Sequence, residues 1–545
     1  MAVRYPLIRS RHGRYSAFLS YNMSKRRNNR KESNDTHNVS RQKNNTAKES
    51  KKNLKSGSSF DHLKGSSRHI LLCIITVIVA VIAFKFHNSF IGHLDNVDIS
   101  KRNTTSANNG GWRVADEATL NLYNSDLCTV ERVKAESLTV NEFERIYRYK
   151  KPLIVQFKNG ADDWIESAKW TLNSLKEEYG GEVVHSGNAR DIVRHGGNGY
   201  VETSFTEYVD KLMSDKDQIG EPYYVFDRLF YNGSYLTETL RPPNYFEIKD
   251  GVDDSIFFLG SSGSGVSFHK HADAWNGVVF GRKRWFLYPV EQTPPGGVYP
   301  GYTMREWIEH IYPTLTAVNR PIECIQEPGE ILYLPESTYH GTVNLGDTIA
   351  LGIQKKEAVT TVEKLFYDEH KLAQSMRGVS QQTLASIQQK KLQIMKEISG
   401  LIPNNAEVHM KLGDLYKDIG ELDKAVEHLN AAIKIDPLFL VAIMNLAGIK
   451  TKMHDFVKAE ELYRHALVMN PKLWDVYAQY GDFLMMTNRA QEAVAIYRKG
   501  TELEPNTLAF WSNLRQAQDI AGDHAGARST QKVIDKLNRK LDKHN

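Results

Sequence analysis

Three patterns of apolar and polar positions follow one another along the chain. Towards the C-terminus, positions recur at a fixed step: Pro403, Pro437, Pro471 and Pro505 lie 34 residues apart. Ala425, Ala459, Ala493 and Ala527 keep that step, as do Leu412, Leu446, Tyr480 and Leu514. Over 112–360 the step is absent, and short apolar runs alternate with turn signals. "KPLIVQF" (151–157), "YYVF" (223–226), "SIFFLG" (255–260), "NGVVF" (276–280), "RWFLYP" (284–289), "GEILYLP" (329–335) and "TIALGIQ" (348–354) read as strands. "NGVVFGRKRWFLYP" predicts a hairpin turning near Gly281, and "EPGE" a tight turn before the next strand. The third pattern is "ILLCIITVIVAVIAFKF", residues 70–86, which has no polar face. Such a stretch predicts one membrane-spanning helix about 26 Å long.

The 34-residue step is that of two packed helices per unit. Gly413 and Gly481 fall where two helices pass closely, and Tyr416, Ala432, Ala466 and Trp511 occupy further positions of the pattern. It resembles the tetratricopeptide repeat, whose small residues allow close packing and whose proline closes the second helix. Repeats are expected at 406–439, 440–473 and 474–507, with 508–541 as an end cap, inside an array spanning 403–541 behind linker helices at 361–402. The resemblance implies an all-α solenoid that binds a peptide or protein partner.

Charge sharpens the N-terminal picture. Residues 1–69 carry 17 Lys and Arg against 4 Asp and Glu, so the net +5 of the chain conceals a basic tail ahead of an acidic remainder. That tail is poor in apolar residues and is expected to be disordered. Positive charge ahead of the apolar stretch orients the N-terminus to the cytosol. The expectation is a type II membrane protein of the endoplasmic reticulum or Golgi: cytosolic tail 1–69, anchor 70–86, stalk 87–111, and lumenal domains beyond. The anchor directly behind the tail argues against nucleic acid as a partner. Asn103 and Asn232 head glycosylation sequons on the lumenal side. With Cys73 in the span, Cys128 and Cys324 are the lumenal pair that an oxidising compartment would join.

Candidate chemistry concentrates in "VSFHKHADAW", where His269, His271 and Asp273 stand on alternate positions. On a straight strand, residues four apart are too distant to share one ion, so the ligand pair is His271 with Asp273 or His269 with His271. "VSFHKHADAWNGVVFGRKRWFLYP" followed by "CIQEPGEILYLPESTYHGTVNLGDTIALG", with "CTVERV" and "LTVNEFERIYRYKKPLIVQF" upstream, resembles the JmjC domain of the cupin superfamily. Within it the likeness is to the lumenal JmjC domain-containing protein 8 group. Residues 112–360 are thereby expected to form a double-stranded β-helix with helical additions. The resemblance implies Fe(II) and 2-oxoglutarate as cofactor and cosubstrate and protein hydroxylation as the reaction. It implies His271, Asp273 and His340 as metal ligands, with His269 in place of Asp273 as the alternative. Lys283, Asn276 and Thr348 are the residues implied for the cosubstrate. A second reading is a catalytically inert barrel joined to the repeats as a lumenal adaptor.

Overall fold

The computed structural model describes residues 109–544, apart from 195–200, 216–219, 229, 231–237, 248–252, 299 and 377. The expected membrane span at 70–86 and both sequon asparagines lie outside the described residues. Among those described, no helix is long and apolar enough to cross a membrane.

Eleven strands make one folded sheet: β1 (Glu131–Lys134), β2 (Leu153–Gln156), β3 (Val183–Gly187), β4 (Val201–Ser204), β5 (Tyr224–Asp227), β6 (Asp253–Gly260), β7 (Gly265–His269), β8 (Ala274–Tyr288), β9 (Ile322–Gln326), β10 (Ile331–Leu334) and β11 (Tyr339–Lys355). The main path runs β1-β2-β10-β8-β11-β6-β5-β3-β4, with β7 on β11 and β9 on β8. The long strands β8 and β11 serve two layers. The first part of β8 lies between β10 and the end of β11, and its last part between β9 and the start of β11. Both are buried along almost their whole length, polar residues included.

This corrects the hairpin expected at Gly281. The chain continues as one strand and only bends there, because partners exist for both flanks. Gly281 has φ +78, and Gly346 opposite it has φ +84, next to a register shift in β11. A Cβ on Gly281 would lie 2.7 Å from Thr348 Cα, so the bend admits no side chain. Between the layers, Tyr224, Phe226, Ile256, Phe258, Val266 and Val278 form one apolar cluster, and Val130, Ile154, Trp285, Leu287, Leu332 and Leu334 another. Cys128 and Cys324 form a disulfide across 196 residues, joining the segment before β1 to β9.

Behind the sheet domain, helices Thr361–Gln374 and Gln381–Leu401 lead into four antiparallel pairs: Ala406–Asp418 with Leu422–Ile435, Leu440–Lys452 with Phe456–Met469, Trp474–Met486 with Ala490–Leu503, and Leu508–Ile520 with His524–His544. Gly413 and Gly481 sit where a side chain would run into Leu429 and Tyr497 of the paired helix. The array docks on the sheet domain through the starts of its repeats. Asn405 donates to Val290 O (2.7 Å) and the Tyr339 hydroxyl (2.8 Å). Asp436 and Asn470, one repeat apart, contact Gly296 N (2.9 Å) and Gly301 O (2.7 Å). Arg190, held by a buried ion pair with Glu306 within the sheet domain, donates across to Lys472 O (2.7 Å). The two domains therefore share one interface rich in satisfied polar contacts.

Candidate metal centre

Strand β7 carries His269 at its end, and β11 carries His340 as its direct cross-strand partner. His271 follows two residues after His269, beyond the strand. The three rings meet: centroids are 4.1 Å apart for His269 and His340, 4.6 Å for His271 and His340, and 5.5 Å for His269 and His271. One ligand nitrogen from each lies within 4.8 Å of the others. Each Nδ1 faces a backbone carbonyl: Ser267 O for His269 (2.9 Å), Ala272 O for His271 (2.7 Å) and Thr338 O for His340 (2.8 Å). A carbonyl can only accept, so each Nδ1 carries the proton and each Nε2 keeps its lone pair. Burial pushes His269 down to about 4 and His271 to about 3, and lowers His340 well below the usual range, with the neighbouring rings adding to the effect at His271 and His340. All three are neutral at physiological pH. Three oriented, neutral imidazoles fit a divalent transition-metal ion.

Asp273 lies elsewhere. Its carboxylate meets the Arg148 guanidinium at 3.2 Å and the Tyr333 hydroxyl at 3.5 Å, with the side chain almost fully buried. Arg148 is itself fixed by Tyr245 O (2.6 Å) and Glu144 (2.8 Å). Of the two ligand sets open in the sequence, the one with His269 is thus brought together, and Asp273 stands outside it. The reason is local: β7 ends at His269, so the alternation of a straight strand does not extend to position 273.

The histidines open into a pocket walled by Tyr224, Phe258, Trp275, Trp285 and Thr342 among others. Lys283 and Asn276 line it as the sequence suggested. Lys283 is 1% exposed; its ammonium reaches the Tyr224 hydroxyl (3.0 Å) and lies over the rings of Phe258 and Trp285. Among the described residues it has no carboxylate partner, and burial pushes it down to about 7. The Asn276 side-chain Oδ1 is buried without a hydrogen-bond partner among the described residues. Thr348, by contrast, is turned away: its hydroxyl donates to Arg282 O (2.9 Å) and is not part of the pocket wall. Thr342 takes that place. Period-two reading from His340 marks both threonines, and the register shift between Leu345 and Ile349 intervenes only before the second. Tyr224 had no such signal, because only the pairing of β5 with β6 brings it near Lys283.

The family model of the cupin-like domain matches residues 139–369, and that of the tetratricopeptide repeat matches 406–437 and 475–507. JmjC domain-containing protein 8 of Rattus norvegicus is 34% identical over 247 residues, covering 44% of this chain and 87% of that protein. Its Homo sapiens counterpart is 33% identical over 244 residues, covering 44% and 88%. The 2-oxoglutarate and iron-dependent oxygenase JMJD4 of Gallus gallus is 27% identical over 254 residues, covering 40% and 58%. By these similarities the chain belongs to the cupin-like JmjC family that includes JmjC domain-containing protein 8, and it carries a tetratricopeptide array behind that domain.

Proposed function

We propose that this chain is a metal- and 2-oxoglutarate-dependent oxygenase that hydroxylates a protein. In this reading it is anchored in an endoplasmic reticulum or Golgi membrane by 70–86, with its folded domains in the lumen. One observation carries the catalytic part: three Nε2 atoms freed by backbone-held Nδ1 protons share a pocket with a buried lysine that meets no carboxylate among the described residues. His269, His271 and His340 hold the ion. Fe(II), when bound, supplies open coordination positions for dioxygen and a 2-oxo acid. The Lys283 ammonium receives the far carboxylate of the cosubstrate, which gives that buried charge its partner. The Tyr224 hydroxyl orients Lys283, Asn276 offers its carbonyl oxygen to a donor on the bound molecule, and Trp275, Trp285 and Phe258 exclude water. The ligand set departs from the two-histidine, one-carboxylate triad because Asp273 is bound to Arg148. A neutral set leaves the whole charge of the ion to attract anionic ligands. The repeats hold the protein substrate or a partner, and the disulfide, which persists in oxidising compartments, supports the lumenal placement.

The same Arg148–Asp273 pair favours a second reading, the inert adaptor, since it removes the carboxylate that iron oxygenases use. Anaerobic reconstitution of the full chain with Fe(II) separates them. The oxygenase binds about one ion per chain and releases succinate from 2-oxoglutarate once oxygen is admitted, even without substrate. A chain that releases no succinate is the adaptor. For the lumenal placement, Asn103→Gln with Asn232→Gln should abolish a glycosidase-sensitive mobility shift; a chain from cells that shows no shift at all counts against it.

A further inference from the structure

The strand that ends at His269 gives way to a short turn, and the side chain between the two ligand histidines, Lys270, points away from the pocket. It forms an ion pair with Glu407 in the first helix of the array, Ala406–Asp418. The same carboxylate accepts from the Tyr339 hydroxyl at 2.6 Å, and Tyr339 immediately precedes His340. Glu407 thus grips both chain segments that bear the histidines, each through the residue next to a ligand. The grip is reinforced. Asn405 donates to the same Tyr339 hydroxyl (2.8 Å), the Lys270 ammonium lies over the rings of Tyr339 and Phe366, and Lys411 (3.0 Å) neutralises the carboxylate from its other side. Glu407 is 5% exposed. Burial opposes its ionisation, yet the charges of Lys270 and Lys411 prevail and hold it well below the usual carboxylate range.

We propose that Glu407 of the repeat array is a positioning residue of the three-histidine site, fixing the spacing of His269 and His271 against His340 from behind. The proposal rests on reading those histidines as metal ligands. Past His269 the ladder of β7 ends, and the turn is held to the His340 segment by one backbone bond, Ser337 N to His271 O (2.9 Å), together with the Lys270–Glu407–Tyr339 tie. Coupling of this kind is reciprocal: an ion at the histidines stabilises the seating of the array, and loosening the array weakens the ion. The array is then part of the site's framework as well as a surface for partners.

The test uses the full chain, cobalt(II) as the probe and two variants. Glu407→Gln keeps an acceptor for Tyr339 but leaves Lys270 without its charge. Lys411→Gln alters the same carboxylate without touching either histidine segment. Glu407→Gln should weaken cobalt(II) binding about 10- to 100-fold and shift the visible ligand-field bands at saturation. In the metal-free chain it should raise amide exchange about tenfold or more in peptides covering 266–272 and 337–343 together. Lys411→Gln should leave bands, affinity and exchange near native. Native bands and affinity within about twofold in Glu407→Gln overturn the proposal, and so does an equal loss in both variants, which marks general destabilisation. If the native chain gives no cobalt bands, the metal reading fails by itself; the exchange comparison then decides the tie, supported by faster exchange in both segments and overturned by unchanged protection in either.

Discussion

Lys270 and Lys283 are both taken out of water, on opposite sides of the same histidine cluster, and their surroundings differ in one respect. Lys270 meets a carboxylate, Glu407, whereas Lys283 meets a hydroxyl and aromatic rings. The first arrangement satisfies a charge within the protein and joins two domains. The second leaves a charge to be satisfied by something that enters the pocket. Folding optimises the interface side, with its buried Arg190–Glu306 and Lys270–Glu407 pairs; the pocket side retains groups that cost stability until a ligand arrives.

The sharpest break of this contrast is at the ligands. His340→Ala should lower metal affinity on the order of 1000-fold or more, whereas Asp273→Asn should change it by less than about threefold, both read by cobalt(II) titration. Equal losses would restore Asp273 to the ligand set. Next comes the pocket lysine: Lys283→Met should weaken 2-oxoglutarate binding about 100-fold, measured calorimetrically with the metal present. The same variant should fold at least as stably as the native chain. The folded-state value of Lys283 is lowered from about 10.5 to about 7, so between those values the unfolded chain binds the extra proton and stability rises with pH. Thermal unfolding of the metal-free native chain should show that rise, and Lys283→Met should flatten it.

The disulfide acts on folding and not on the pocket. Cys324→Ser should cost about 2–5 kcal/mol in chemical unfolding, because it releases a long closed loop. The last is at the interface. Burial raises Asp436 from 3.8 to about 7 against the hydrogen bonds it accepts from Leu438, Gly296 and Gly297. The folded state therefore holds a proton that the unfolded state has lost between about pH 4 and 7, and stability falls as pH rises through that window. Asp436→Asn should remove this slope in pH-dependent unfolding and leave metal binding unchanged.

Legibility followed the range of the interactions. The repeat helices were readable because each proline, alanine and glycine of the 34-residue step acts within its own helix pair. The strands holding Lys283 and His340 were readable only in part, from the apolar runs 276–280 and 284–289 on either side of Lys283 and 348–354 beyond His340. The bend at Gly281 was not, since a hairpin and a kinked long strand share one turn signal, and only β9 and β11 decide between them. The ligand register was half legible. His271 belonged to both possible sets, but the choice hung on where β7 ends and on Arg148, which captures Asp273 from far upstream. β3 and β4 carried no clear alternation, and Glu407 had no mark at all, because its role exists only once the array is seated.

The docking of the repeats by their starting edge bears on how such a chain can grow or shrink. The chain touches the sheet domain ahead of each of the first three helix pairs, through Asn405 and Glu407, then Asp436, then Asn470, the last two one repeat apart. The last pair of helices packs on its predecessor through Phe510, Leu514 and Ala517. Whole repeats can therefore be gained or lost at the far end with the seat intact, while removal of a unit at the near end would unseat every later one by a full step. The array has one anchored end and one open end, and variation in its length belongs at the open end.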